Sequence, residues 1–367
     1  MRIAVLGTRG FPDIQGGVEQ HCEKLYPLLA SDDYQVTVFR RRPFITNKVK
    51  TYNFVRFVDL PSTRLPGFEA LYHSFICSVI CILKRPDIVH IHNIGPGFFT
   101  PLLKILGLKI VLTYHSPNYE HVKWSAMTRS FLKFSEFLST RFSDKVIFVS
   151  RYQMNKIGKS GKMTHINNGV TFHSQSANDD YLHKIGVQKK KYVLAVGRLV
   201  EEKGFDLLIN AFAELNSEDA RLVIAGDADH ETAYSAGIKE LAKKKNVIMP
   251  GYVRGEQLQQ LFSHARLFVL SSYNEGQPIS LLEAMSYNLP VLASDIPANL
   301  QISLKEECYF KCGDDASLRE KLQSNLSSGV DRVDYDMSQY NWETIVEQTK
   351  EVYNQVLGNN SKTGESE

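Results

Sequence analysis

Glu275 and Glu283 stand eight residues apart in the stretch "SSYNEGQPISLLEAMSYNLPVLASD", residues 271–295. The run ahead of them, "RLFVLSS", has the composition of a strand. Pro278 suits the first position of a helix, because the donor it lacks would go unpaired there. Asn288 tolerates the left-handed conformation that ends one. The spacing therefore predicts Glu275 just outside a helix N-terminus and Glu283 about two turns inside. Backbone N–H groups around Gly276, Gln277, Pro278 and Ile279 would then be open and favour an anion. Carboxylates repel a phosphate but accept two hydroxyl hydrogen bonds well. A nucleotide sugar meets both conditions, with its diphosphate at the helix end, its ribose on Glu283 and its sugar on Glu275. The plainer alternative is one capping glutamate and one exposed helical glutamate.

Three other groups of residues could join them. Arg198 and Lys203 lie in "VGRLVEEKGFD", residues 196–206. One offers a planar fork of donors and the other a point charge. They could neutralise a diphosphate, or be solvated surface charges. Gly16 and Gly17 lie in "GTRGFPDIQGGVEQ", before a helix that leaves N–H groups open to a phosphate or sugar. That loop lacks the GxGxxG pattern, which argues against a nicotinamide oxidoreductase. His115 follows the apolar run "IVLTY". His90 and His92 alternate on one strand face, and no third ligand is evident nearby, so they are expected to pack or to line a site rather than hold a metal. Asp227 and Asp229 form a literal DxD that reads as a strand-end turn, so no metal is expected.

The elements that must position these residues alternate. Strand-like runs occupy 2–7, 35–39, 54–58, 87–92, 109–114 and 145–149, with helical patterns near 17–30, 67–84, 97–106, 124–142 and 151–158. The series restarts with strands at 191–196, 221–225, 247–249, 266–270 and 290–293, and helices near 204–216, 231–244, 255–264, 278–287 and 315–327. Such alternation implies an α/β chain with two doubly wound, Rossmann-like parallel sheets, each covered on both faces. The expected domains are 1–171, a polar linker at 172–190, and 191–340. A final helix at 341–357 carries an apolar stripe that needs a surface to lie on, and 358–367 read as a disordered tail. In doubly wound sheets ligands sit beyond the carboxyl ends of the strands. The chemistry should lie in strand-to-helix loops of both domains, facing a cleft.

Composition sets further limits. The 367 residues are 43% hydrophobic and 23% charged, as in a globular protein of two domains. No apolar run is long enough to span a bilayer, and residues 3–6 are too few for a secretory leader core, so a cytoplasmic location is expected. The five cysteines, without CxxC spacing, read as reduced small hydrophobes. The net charge of +3 hides an asymmetry: residues 1–185 hold 24 Lys and Arg against 13 Asp and Glu, a balance of +11, and the remainder carries −8. Only the first half is expected to meet a large anion or a membrane surface. Lys123, Arg129, Lys133, Arg141 and Lys145, interleaved with aromatic residues, could lie on an anionic membrane, and Arg40, Arg41 and Arg42 with Phe44 would extend that surface. No nucleic-acid partner is indicated.

Together these residues resemble the family 4 glycosyltransferases, of GT-B fold. The resemblance rests on "GTRGFPDIQGGVE", "LTYHSPN", "INNGV", "AVGRLVEEKGFD", "VIAGD", "GYV" and the glutamate–seven–glutamate stretch "EGQPISLLEAMSYNLPVLASD". It implies two facing Rossmann-like domains, a last helix returning to the first, and transfer of a sugar from a nucleotide donor with retention of configuration. By the same resemblance Glu283 would bind ribose, Glu275 the donor sugar, and Arg198 and Lys203 the diphosphate, while His115 would contact the sugar near its reacting carbon. The first domain, through Gly16 and Gly17, would hold the acceptor. Neither metal nor cofactor is implied. The opening "MRIAVLGTRG…GGVE" further resembles rhamnosyltransferase-like members of bacterial polysaccharide assembly, and a lipid-linked diphosphate acceptor at the inner face of the membrane would explain the basic first half and its basic, aromatic-rich helix. Here "INNGVT" stands for the family's usual "PNGVD", and "EGQP" for its commoner "EGFG". The rival readings are a nucleotide-sugar epimerase of the same fold and a non-catalytic two-domain solute-binding protein.

Overall fold

The computed structural model describes residues 1–14, 16–47, 49–63, 65, 68–117, 119, 125–158, 160–172, 174–215, 217, 219–228 and 230–358. The chain divides into two units, Met1–Gly169 with Gln339–Glu367, and Val170–Ser338. In the first unit the order is β1 (Arg2–Leu6), α1 (Gly17–Leu29), β2 (Gln35–Arg41), β3 (Thr51–Tyr52), β4 (Val55–Leu60), α2 (Phe68–Lys84), β5 (Ile88–His92), α3 (Thr100–Ile105), β6 (Ile110–Tyr114), α4 (Ala126–Phe142), β7 (Lys145–Phe148), α5 (Arg151–Ile157) and β8 (Met163–His165). The second holds α6 (Asp180–Ile185), β9 (Tyr192–Val196), α7 (Phe205–Glu214), β10 (Arg221–Ala225), α8 (Ala233–Lys244), β11 (Ile248–Gly251), α9 (Gly255–His264), β12 (Leu267–Leu270), α10 (Ile279–Ser286), β13 (Val291–Ser294), α11 (Pro297–Leu300), β14 (Tyr309–Phe310) and α12 (Asp315–Ser327). The chain then returns to the first unit as α13 (Trp342–Leu357).

The first sheet has the order β3-β4-β2-β1-β5-β6-β7-β8, parallel except for the β3–β4 pair. Successive strand residues point to opposite faces, and β1 shows the consequence. Ile3 and Val5 enter one core with Leu25 and Tyr26 of α1 and Trp342, Ile345 and Tyr353 of α13. Ala4 and Leu6 enter another with Cys77 and Cys81 of α2 and Leu103 of α3. Both faces of β1 are therefore dry, which explains its unbroken apolar run. The apolar stripe of the last helix finds its surface beside α1. The second sheet has the order β11-β10-β9-β12-β13-β14, with one core of Val193, Leu222, Val269 and Leu292 under Leu208 of α7 and Leu318 of α12. The strand order reverses between β1 and β5 in the first sheet and between β9 and β12 in the second.

Several local expectations change. Residues 172–190 are not a bare linker: they hold α6, whose Leu182 is buried and whose Tyr181 backbone N–H donates to Gln260 Oε1 at 2.9 Å. One buried apolar residue in six leaves no periodicity to read. Strands β3, β8 and β14 are two or three residues long, too short for a pattern. The run 97–106 splits into a 3-10 turn, Pro96–Phe99, and α3. The five cysteines are free, as expected, and burial pushes the Cys81 thiol up to about 12. No helix among the described residues is long and apolar enough to cross a membrane. Of the tail expected at 358–367, Gly358 caps the last helix and 359–367 lie outside the described residues, as do Lys123 and Trp124.

The Arg40–Arg42 run is corrected. Arg40 is fully buried, donates to Asp59 Oδ1 at 2.7 Å and lies over the Phe57 ring at 4.1 Å. Arg41 is also buried and pairs with Glu69 at 3.2 Å. Both stand at the end of β2, where inward strand positions place a long cation against a carboxylate instead of in water. Neither contributes to a basic surface.

Candidate active site

In the second unit the loops after β9 and β12 leave the sheet side by side at its reversal point. Ser271 Oγ donates to the Lys203 carbonyl at 2.8 Å, and the Tyr273 backbone N–H donates to the Glu202 carbonyl at 2.8 Å. Gly204 is required at this junction: its φ is 59°, and a Cβ there would meet the Ser271 carbonyl oxygen at 2.5 Å. The closure brings Lys203 Nζ to 2.5 Å from Glu275 Oε1, and Ser272 Oγ donates to the same oxygen at 2.7 Å. Both charged side chains are largely sheltered, at 18% and 12% exposure. The cation expected on a diphosphate and the carboxylate expected on a sugar are thus direct partners. Arg198 stands two residues past β9, and its carbonyl accepts the Val200 N–H at 2.9 Å, which tightens the turn.

Beyond Glu275 the loop runs through half-buried Gly276 and buried Gln277 and Pro278 into α10. Pro278 precedes the helix and does not open it, and Ile279 is its first residue. Glu283 therefore lies little more than one turn inside α10, not two. It is half-buried, between buried Leu282 and Ala284. Asn288 follows with φ 56°, the left-handed stop expected of it. The DxD stretch shows no cluster among the described residues: Asp227 pairs with Lys239 at 3.0 Å, and Asp229 lies outside them.

In the first unit the loop after β1 runs from Gly7 to Gly16. Gly7, at φ 103°, passes so close to β5 that a Cβ would strike the His92 carbonyl oxygen. Gly16 caps α1 with φ 148°, and a Cβ there would strike the Glu19 carboxylate and the Arg9 guanidinium. Glu19 Oε1 accepts from the Arg9 N–H at 3.0 Å and from Arg9 Nε at 3.3 Å. Burial raises the Glu19 carboxyl, but the Arg9 charge and these hydrogen bonds outweigh it and hold the group below its usual range. Gly17 begins α1 directly behind this closed loop.

His115 follows β6 and belongs to a buried network. Its Nε2 stands 2.9 Å from His92 Nδ1, and His92 Nε2 stands 2.6 Å from the Tyr26 hydroxyl. Tyr26 also reaches His90 Nδ1 at 2.9 Å, and Tyr353 of α13 reaches that nitrogen at 2.6 Å. His21 Nδ1 bonds Asn168 Oδ1 at 2.9 Å, and its ring lies edge-on to His115 with centroids 5.0 Å apart. The absence of a third ligand near His90 and His92 is therefore corrected. One nitrogen each of His21, His92 and His115 lies within 4.8 Å of the others, a set able to hold a metal ion. Both ring nitrogens of His92 already have partners, His115 at Nδ1 and the Tyr26 hydroxyl at Nε2. Burial depresses all four rings, with His21 at about 4 and His90 at about 3, and the neighbouring imidazoles lower His92 and His115 further. All are neutral at pH 7. The sequence offered only the alternation of His90 and His92 and the position of His115. Tyr26, His21, Asn168 and Tyr353, like Ser272 beside Glu275, escaped notice.

Two family models match in tandem, "Glycosyltransferase Family 4" over residues 15–194 and "Glycosyl transferases group 1" over residues 178–342. The chain belongs to the family 4 glycosyltransferases. It is 23% identical to the amylovoran biosynthesis glycosyltransferase AmsD of Erwinia amylovora, over 80% of this chain and 81% of that one. It is 25% identical to the phosphatidyl-myo-inositol mannosyltransferase of Mycobacterium leprae, over 99% of each. Among solved structures, sucrose-phosphate synthase of Thermosynechococcus elongatus superposes with a TM-score of 0.81 at 22% identity, covering 97% of this glycosyltransferase and 99% of that chain. Anabaena HepE in complex with UDP-glucose superposes with a TM-score of 0.73 at 17% identity, covering 98% of each. The fold of the glycosyltransferase is GT-B.

Proposed function

We propose that this glycosyltransferase moves a hexose or deoxyhexose from a nucleotide-diphosphate sugar, with retention of configuration, to a lipid-linked glycan acceptor in bacterial surface polysaccharide assembly. The observation that carries the reading is the Lys203–Glu275–Ser272 cluster at the reversal point of the second sheet. It sets a cation, a carboxylate and a hydroxyl where doubly wound sheets receive ligands. UDP-glucose in HepE supports a nucleotide-sugar donor. The amylovoran and phosphatidylinositol relatives support a polysaccharide product and a lipid-borne acceptor.

In this reading Glu283 accepts the ribose hydroxyls and Glu275 the sugar hydroxyls. Arg198 and Lys203 meet the diphosphate, which gains charge as the glycosidic bond breaks, with Gly276, Gln277 and Ile279 at the head of α10 beside it. Before donor binds, Lys203 and Glu275 satisfy each other. A diphosphate offers Lys203 a second anion and frees Glu275 for hydroxyls. His115 serves the reacting sugar, the Gly16–Gly17 loop the acceptor, and attack proceeds on the face the diphosphate leaves. The group set requires neither metal nor cofactor. Incubation with a panel of nucleotide sugars and a prenyl-diphosphate glycan acceptor, with the anomer of the product read by NMR, tests the reading. A product of inverted configuration, or turnover without an acceptor, would contradict it.

A further inference from the structure

Helix α2 turns an unusual face outward. Its buried side is formed by His73, Ser74, Cys77, Ser78 and Cys81. Its exposed side is Phe68, Tyr72, Phe75, Val79 and Leu83, spaced by four, three, four and four residues and so forming one stripe along the helix. A helix on a water-facing surface would carry charged residues there. The apolar surface continues across neighbouring elements through ring contacts. Phe75 meets Phe99 with centroids 5.8 Å apart, and Phe98 meets Phe131 of α4 at 5.1 Å. Helix α4 exposes Met127 at 81%, Phe134 and Phe137, and α3 between them exposes Ile105 at 80%. Contiguous apolar surface of this kind marks an interaction site.

The charges say what it meets. The acids of α2 and α4 are engaged with their own unit: Glu69 pairs with Arg41, and Glu136 accepts from Tyr114 at 2.5 Å. The exposed charged residues on these helices are Lys84, Arg129, Lys133 and Arg141, all cations. Aromatic and aliphatic groups rimmed by cations, on a helix of 17 residues about 25 Å long, fit the interface of an anionic bilayer. A second copy of the same face would bring like charges together.

We infer that the α2–α3–α4 face of the first unit docks on an anionic lipid surface, a deepening of the proposed function that rests on its lipid-linked acceptor. The stripe enters the headgroup region and the cations meet lipid phosphates.

Co-sedimentation of the full chain with phosphatidylcholine vesicles, with and without phosphatidylglycerol, tests this beside two triple variants: Phe75→Ser/Val79→Ser/Leu83→Ser and Arg129→Gln/Lys133→Gln/Arg141→Gln. The wild type should pellet with anionic vesicles and less at high salt. Each variant should partition roughly tenfold less, and the cation variant should lose most of its salt dependence. Circular dichroism and a thermal midpoint check that the variants fold, and calorimetry with nucleoside diphosphates should read the same in all three proteins. If no nucleotide binds but vesicle binding follows the face, the proposed function fails and the docking stands. Wild-type indifference to anionic vesicles overturns the inference, as does equal pelleting of folded variants. So does a wild-type dimer in ultracentrifugation that the stripe variant dissociates without any vesicle binding.

Discussion

His92 Nδ1 lies 2.9 Å from His115 Nε2, and neither ring is charged at neutral pH. One ring must donate and the other accept, so the tautomer of His92 sets that of His115. The Tyr26 hydroxyl at His92 Nε2 takes the complementary role. Replacing His92 with Phe should lower kcat roughly tenfold to a hundredfold while leaving nucleotide affinity unchanged. His92→Gln, which keeps a donor and an acceptor, should recover part of the loss. Steady-state kinetics beside calorimetry checks this. Equal kcat in a folded His92→Phe protein would show that His115 needs no positioning from this side.

Arg198→Ala and Lys203→Ala should each depress turnover on the order of 10²-fold, through lost stabilisation of the leaving diphosphate. Because Lys203 is also the partner of Glu275, its removal leaves a sheltered carboxylate unpaired and should raise the KM for donor as well. Initial rates at saturating and limiting donor separate the two effects. Wild-type rates in both variants would move the diphosphate site elsewhere.

The depressed histidines make stability pH-dependent. An imidazole in the unfolded chain titrates near 6.5, whereas His21 and His90 in the fold titrate at about 4 and about 3. Below pH 6.5 the unfolded state takes up protons that the folded state refuses. The contribution is complete above about pH 6.5 and is lost as pH falls. The carboxyls of Glu19 and Asp59 are also held low, so they add to the loss only below about their usual values, 4.5 and 3.8. The urea midpoint should therefore drop between pH 7.5 and pH 5. An unchanged or higher midpoint at pH 5 would mean that these rings do not stay neutral in the fold.

Activity should survive EDTA. One nitrogen each of His21, His92 and His115 could gather a metal, but both ring nitrogens of His92 are already engaged, with His115 and with the Tyr26 hydroxyl, so a metal would have to break one of these bonds. Loss of turnover in EDTA, restored by an added divalent cation, would make this cluster a metal centre.

What the sequence made legible was local. The stretch 266–294 carries its strand, its stop at Asn288 and its second strand within thirty residues, and the loops after β9 and β12 could be read as a pair because strand order in a doubly wound sheet brings them together. Side-chain partners distant along the chain were not legible. Lys203 and Glu275 are 72 residues apart, His21 and Asn168 are 147 apart, and His90 and Tyr353 are 263 apart. Arg40 and Arg41 misled for the opposite reason: a run of three arginines reads as surface charge, yet Asp59 and Glu69 take two of them inside. Composition does not say which cations are neutralised.

Donor binding depends most directly on Glu283 as the ribose acceptor. Calorimetric titration of uridine, guanosine, adenosine and thymidine diphosphates into the wild type and into Glu283→Ala measures this without knowledge of sugar or acceptor. At least one diphosphate should bind the wild type, and the variant should bind it more weakly by about 1.5–3 kcal/mol, the cost of a lost hydrogen bond to a charged group. Equal affinity in a folded variant, or no binding of any nucleotide to the wild type, would contradict the account.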